Sequence, residues 1–166
     1  FAAYTKDIFF ELHMMVKEPE QYLEDWGVVG FRRFIGHVEH MSDQTSFVAK
    51  AQDLGEVGLA LDVDTPVEAI AVDLIDLDNV LVMMCKAGSS GQKFQPGMLD
   101  KVRKLIQMEE LLPITVDGGI TEKTIQDSFS AGAARFVSTS FLFWGDEDPR
   151  TRHQLLTSAI ELSQEK

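Results

Sequence analysis

The chain has one cysteine, Cys85, which excludes a framework of internal disulfides and fits a reducing compartment. No apolar stretch approaches the roughly 20 residues that a membrane-crossing helix needs, and no signal-peptide pattern is visible, so a cytoplasmic location is the expectation. Basic residues are scarce: 15 Lys and Arg stand against 27 Asp and Glu, for a formal net charge of −12. Nucleic-acid and anionic-membrane surfaces run on clustered cations, and those present here are scattered, so neither partner is expected. A phosphate, if bound, has to be held by local backbone amides. There is no linker and no low-complexity segment. The 166 residues, 45% hydrophobic and 25% charged, therefore read as a single globular domain with a sizeable core.

Apolar runs of strand length alternate with amphipathic stretches of helix length, the pattern of repeated βα units around a parallel sheet. Six strands are expected, at residues 8–16, 32–38, 57–62, 79–85, 114–117 and 135–140, each followed by a helix. Pro19, Pro66 and Pro96 stand where a first-turn proline is tolerated, Thr121 could cap a helix, and a last helix is expected from about Pro149 to Glu165. A closed barrel of such units needs eight strands and usually about 250 residues, so six would leave two open edges that promote self-association: either two units are missing from the start, or the sheet is an open one. The chain starts with Phe1, and "FAAYTKD" reads as the tail of an earlier helix and its loop, so an N-terminally incomplete domain is expected.

In parallel α/β folds the chemistry collects at the carboxyl ends of the strands, and here those ends are polar. The first strand carries Glu11 and His13 on one face, followed by Met14 and Met15; the second ends in His37, with Glu39 on the same face and His40 opposite. The third ends in Asp62, the fourth passes Met83 into the Gly and Ser loop "CKAGSSGQKF", the fifth ends in Asp117-Gly118-Gly119 and the sixth in Ser138-Thr139-Ser140. A lone strand histidine is more often a hydrogen-bonded core residue than a ligand, and the methionines read first as packing. "HVEH" invites a metal reading, but on a strand His37 and His40 face opposite ways. The recurrence of polar residues at six successive strand ends is what raises the odds of a site. The glycine pair lets the backbone bend and lets something approach its amides, while Asp117 adds one charge.

"LHMMV", "HVEH", "ALDVDTP", "MMCKAGSSGQKFQPGMLDKVRKL", "TVDGGITEKTI" and "AGAARFVSTSFLF" resemble, in order and spacing, the ribulose-phosphate 3-epimerase family. The resemblance covers essentially the whole chain and implies a phosphate-binding (β/α)8 TIM barrel, of which the third to eighth units are present here. It implies a metal-assisted isomerase that epimerises C3 of D-ribulose 5-phosphate through an enediolate, with one divalent ion (zinc, iron or manganese) held by two histidines and two aspartates. His13 matches one histidine. Asp117 matches one aspartate, both ligand and catalytic acid/base, whereas the other histidine and aspartate belong to a segment this sequence does not contain.

The phosphate pocket implied by the same resemblance falls on Gly118, Gly119, Thr139 and Ser140 and on the loop Gly88, Ser89, Ser90 and Gly91, with Met15 and Met83 as further substrate-site residues. The sequence departs from the family pattern at Thr139, where glycine is usual, at Ala87, Ser89 and Ser90 in the mobile loop, at Asp62 in place of asparagine, and at Glu11 in place of aspartate. A catalytically impaired barrel that only binds a sugar phosphate or a protein partner is the alternative. A synthase or decarboxylase relative ranks lower, because its strand-end lysine could only be Lys86, which lies in a loop.

Overall fold

A computed structural model describes residues 7–164 of the chain. Its centre is one sheet of six parallel strands in chain order: β1 (Glu11–Met14), β2 (Arg33–His37), β3 (Glu56–Leu61), β4 (Asn79–Met83), β5 (Ile114–Asp117) and β6 (Arg135–Val137). Strand order equal to chain order, with every pair parallel, means that each strand returns by a crossover in the same sense. The crossovers carry α1 (Leu23–Val29), α2 (Gln44–Gln52), α3 (Leu99–Met108) and α4 (Glu122–Ser130), and α5 (Ser140–Phe143) and α6 (Pro149–Gln164) follow β6. No helix among the described residues is long and apolar enough to cross a membrane.

Period two sorts the strand residues onto two faces. Phe34, Leu59, Val80, Val82, Ile114 and Val116 are fully buried in the main core together with helix residues such as Phe47, Leu105 and Ile125. The alternate residues Ile35, Ala60, Leu81 and Met83 form a second, smaller cluster on the opposite face. Both faces are thus covered, which is why the strands read as continuous apolar runs. Thr121 caps α4 in a reciprocal box with Thr124, and Asp43 caps α2 through the Ser46 amide at 2.9 Å.

The expected strands all form. The first, second, fourth and last are shorter than expected, the third is shifted by one residue, and β5 has the expected bounds. The reading of "FAAYTKD" as the tail of a helix falls on residues 1–6, outside the described residues, as does Glu165 at the expected end of α6.

The third crossover departs from expectation. In place of an α-helix after Pro66 it has two 3-10 turns, Val67–Ala69 and Leu74–Asp76. Gln44, at the start of α2, explains this: its amide donates to the Ala69 carbonyl and accepts from the Ala71 amide, both at 2.8 Å. Those two backbone groups are then lost to a helical ladder. The second correction concerns "HVEH". The strand ends at His37, and Val38–His40 is a 3-10 turn, so His40 does not alternate across the sheet and its ring lies 5.8 Å from that of His37.

Candidate active site

His13 on β1 and Asp117 on β5 have three strands between them in the sheet, four strand spacings or about 19 Å if the sheet were flat. Yet His13 Nδ1 stands 3.3 Å from Asp117 Oδ2. Only a curled sheet brings them together, so the contact is itself the measure of curvature. On the other side of the same ring, His13 Nε2 lies 2.9 Å from His37 Nε2, with the two rings nearly parallel. His37 is fully buried, and its Nδ1 contacts Glu39 Oε2 at 3.1 Å. Asp117, His13, His37 and Glu39 therefore form one continuous polar row.

Glu39 carries the row to the next strand end. Its Oε1 accepts from the Asp62 amide at 2.7 Å, and Asp62 Oδ1 in turn accepts from the Ala87 amide at 3.1 Å. Burial alone would raise the Glu39 carboxyl, but hydrogen bonds from His37, Thr65 and the Asp62 amide outweigh it and hold the group down at about 2. Lys101, from α3, donates to the carbonyls of Asp62 and Val63 at 2.7 and 2.9 Å and so pins the same turn.

A cavity of about 250 Å³ opens at the carboxyl ends of β4, β5 and β6. Its lining brings together Met15, Met83, Gly88, Ser89, Ser90, Gly91, Asp117, Gly118, Gly119, Thr139 and Ser140, and His13 touches it only through Asp117. Cys85, Ile120, Val137 and Ser138 also line it and are absent from the sequence-based set. Cys85 was accessible to pattern reasoning, since it lies two residues beyond Met83 on the same period. Its thiol is pushed up by burial and by the charges of Asp117 and Asp62, which disfavours the thiolate there.

The loop over the cavity is held in shape by Gln92, whose side-chain amide donates to the Lys86 carbonyl at 2.7 Å and to the Ser89 carbonyl at 3.0 Å. A second hollow, about 400 Å³, lies at the amino ends of the strands around Glu56, Asp78 and Arg135. It is the larger of the two, but it is remote from the row of acids and histidines.

The glycine pair after β5 adopts φ values of +115° and +65°, in the left-handed half of the map. A β-carbon on Gly118 would collide with the Cys85 sulfur, and one on Gly119 would stand 2.6 Å from the Phe94 amide nitrogen. The protein's own packing requires both glycines, independently of any ligand.

Two ligands on one tetrahedral ion, with bonds of about 2.0–2.2 Å, stand about 3.3–3.5 Å apart. The 3.3 Å between His13 Nδ1 and Asp117 Oδ2 fits that separation. No cluster of three or more His, Cys, Asp or Glu suited to a metal occurs among the described residues. Lys86 is exposed, pairs with Asp64 at 3.4 Å and does not line the cavity, so it sits badly for strand-end lysine chemistry.

The family model of the ribulose-phosphate 3-epimerase family matches residues 2–143. The ribulose-phosphate 3-epimerase of Schizosaccharomyces pombe is 34% identical over 165 residues, covering 98% of this chain and 72% of that protein. The cytoplasmic isoform of the same enzyme from Oryza sativa is 35% identical over 165 residues, covering 95% of this chain and 71% of that protein. Among solved structures, KGPDC from Streptococcus mutans superposes with a TM-score of 0.73 at 15% identity, covering 96% of this chain and 76% of that one. A 3-hexulose-6-phosphate synthase superposes at 0.66 with 19% identity, covering 96% and 78%. At those identities the structural likeness shows a shared TIM-barrel-like fold.

Proposed function

The chain belongs to the ribulose-phosphate 3-epimerase family, and from that premise we propose that it epimerises C3 of D-ribulose 5-phosphate, its six units being part of a single (β/α)8 barrel domain. The observation that carries this reading is the meeting of Asp117 with His13 at the rim of a cavity lined by two glycine-containing loops. Asp117 is the proton-transfer group: its carboxylate lines the cavity where a sugar carbon can reach it, and it abstracts or returns the C3 proton. The Gly118-Gly119 turn, Thr139, Ser140 and the Gly88–Gly91 loop offer backbone amides to the phosphate, consistent with a chain that has few cations to spend on it. Met15 and Met83 supply apolar walls for the sugar.

A proton next to a ketone is too weakly acidic for a carboxylate alone. A divalent cation held by His13 and Asp117 would act as the Lewis acid that stabilises the developing enediolate oxygen. His13 then orients Asp117 from one side, while the loop braced by Gln92 keeps water from the other. Cytoplasmic location is part of the same reading, supported by the name of the Oryza sativa relative.

The test is the Asp117→Asn variant, assayed for conversion of D-ribulose 5-phosphate to D-xylulose 5-phosphate. Loss of about 10²–10⁴-fold in kcat, with sugar-phosphate binding retained, is expected. An unaltered kcat would remove Asp117 from the chemistry, and wild-type protein that binds the sugar phosphate without turning it over would favour the non-catalytic barrel.

A further inference from the structure

Glu39 and His37 line neither of the two cavities described above, yet they form an unbroken row to the proposed metal pair. The donor and acceptor inventory of that row has a direction. A carboxylate only accepts, so His37 donates from Nδ1 to Glu39 Oε2 at 3.1 Å. With both imidazoles neutral, each donates through one nitrogen alone, which leaves His37 Nε2 as an acceptor. The 2.9 Å contact between the two Nε2 atoms then needs its hydrogen from His13. His13 in turn is left with a bare lone pair on Nδ1, the nitrogen that faces Asp117 Oδ2.

The distances agree with this assignment. The His13–His37 contact is of ordinary hydrogen-bond length, whereas the 3.3 Å between His13 Nδ1 and Asp117 lies beyond the usual range for an N–H donor to oxygen. Two lone pairs facing each other at that separation suit a cation between them. Burial fixes the other end of the contact: His37 is fully buried, with its ring nearly parallel to that of the half-buried His13, so the His37 imidazole cannot swing away without opening the face of the sheet. Glu39 is anchored independently by the Asp62 amide at 2.7 Å.

Resting on the metal reading above, we propose that Glu39 and His37 are positioning residues that set the tautomer and orientation of His13, so that its Nδ1 lone pair is presented with Asp117 to a divalent cation. Partners of this kind around a metal-ligating histidine typically contribute 10–100-fold to metal affinity.

The test uses the protein at its natural length. In the metal-free wild type, side-chain 15N NMR should show His13 unprotonated at Nδ1 and protonated at Nε2. Mn²⁺ titrated into the Glu39→Gln and His37→Phe variants should bind about 10–100-fold more weakly than to wild type. Glu39→Gln leaves one acceptor oxygen where the carboxylate had two, too few to serve both His37 and the Asp62 amide as now. His37→Phe leaves the Glu39–Asp62 contact intact, so the two variants fail for different reasons if the turn is merely loosened. A His13 protonated at Nδ1 in the wild type, or Mn²⁺ affinity within about twofold of wild type in both variants, overturns the proposal. Wild-type protein that binds no Mn²⁺ counts against the metal reading instead. The tautomer, which needs no variant to fold, then decides the positioning claim alone.

Discussion

Gly118 and Cys85 lie so close that a β-carbon on the glycine would run into the cysteine sulfur. The end of β5 is thus locked against the loop leaving β4, and the left-handed φ of +115° at Gly118 adds a second reason for glycine there. Gly118→Ala should destabilise the protein by roughly 2 kcal/mol or more, read as a fall in the midpoint of urea unfolding. In the Cys85→Ala background the same substitution should cost less, because the collision with the sulfur is gone and only the backbone strain and the tight 3.1 Å approach to the backbone nitrogen of residue 85 remain. Equal costs in the two backgrounds would show that the sulfur contact contributes nothing.

Thr139 has φ −107°, a conformation open to any residue, so its side chain is tolerated by the backbone and its effect should fall on the ligand. Thr139→Gly should lower KM for D-ribulose 5-phosphate by roughly fivefold, equivalent to about 1 kcal/mol, by clearing the approach to the amides. Steady-state kinetics decide it. An unchanged or raised KM would mean that the threonine hydroxyl is itself a contact.

Gln92 holds the loop over the cavity through the Lys86 and Ser89 carbonyls. Gln92→Ala should free that loop, raising KM several-fold and speeding tryptic cleavage after Lys86, with a stability loss of only about 1 kcal/mol for the exposed bonds. Cleavage as slow as in wild type would show that the Asp62–Ala87 hydrogen bond suffices to hold the loop.

Glu39 supplies the acid limb of stability. Its carboxyl is held down at about 2 against an ordinary value of 4.5, so its contribution is fully present above about pH 4.5 and is lost as the pH falls toward 2. The groups facing it are His37, the Thr65 side chain, the Asp62 amide and, at longer range, Lys101. Urea unfolding at pH 6 and pH 3 should show wild type more stable than Glu39→Gln by roughly 2–3 kcal/mol at pH 6, with the gap narrowing at pH 3. A gap independent of pH would assign the difference to packing.

Much of the fold was legible because it is written in local period and punctuation. Six apolar runs set the strands, β5 matched at both ends, and Thr121 announced the cap of α4. The helix after Pro66 was not legible, because the residue that prevents it, Gln44, lies more than 20 positions upstream and acts through the Ala69 and Ala71 backbone. Asp117 stood out as a lone charge ending an apolar strand before two glycines. What those glycines pack against, Cys85 and Phe94, is a matter of loops meeting in space.

The sequence by itself determined the repeating units, the acidic surface and the residue types at each strand end, since these depend on neighbours two to four positions away. Only the tertiary structure decided which strand ends meet. His13 and Asp117 come into contact because accumulated curl of the sheet closes a gap of four strand spacings, and the row from Glu39 through His37 exists because a 3-10 turn, not a strand, follows β2. Curvature is a sum over all the strands, and no local stretch of sequence records it.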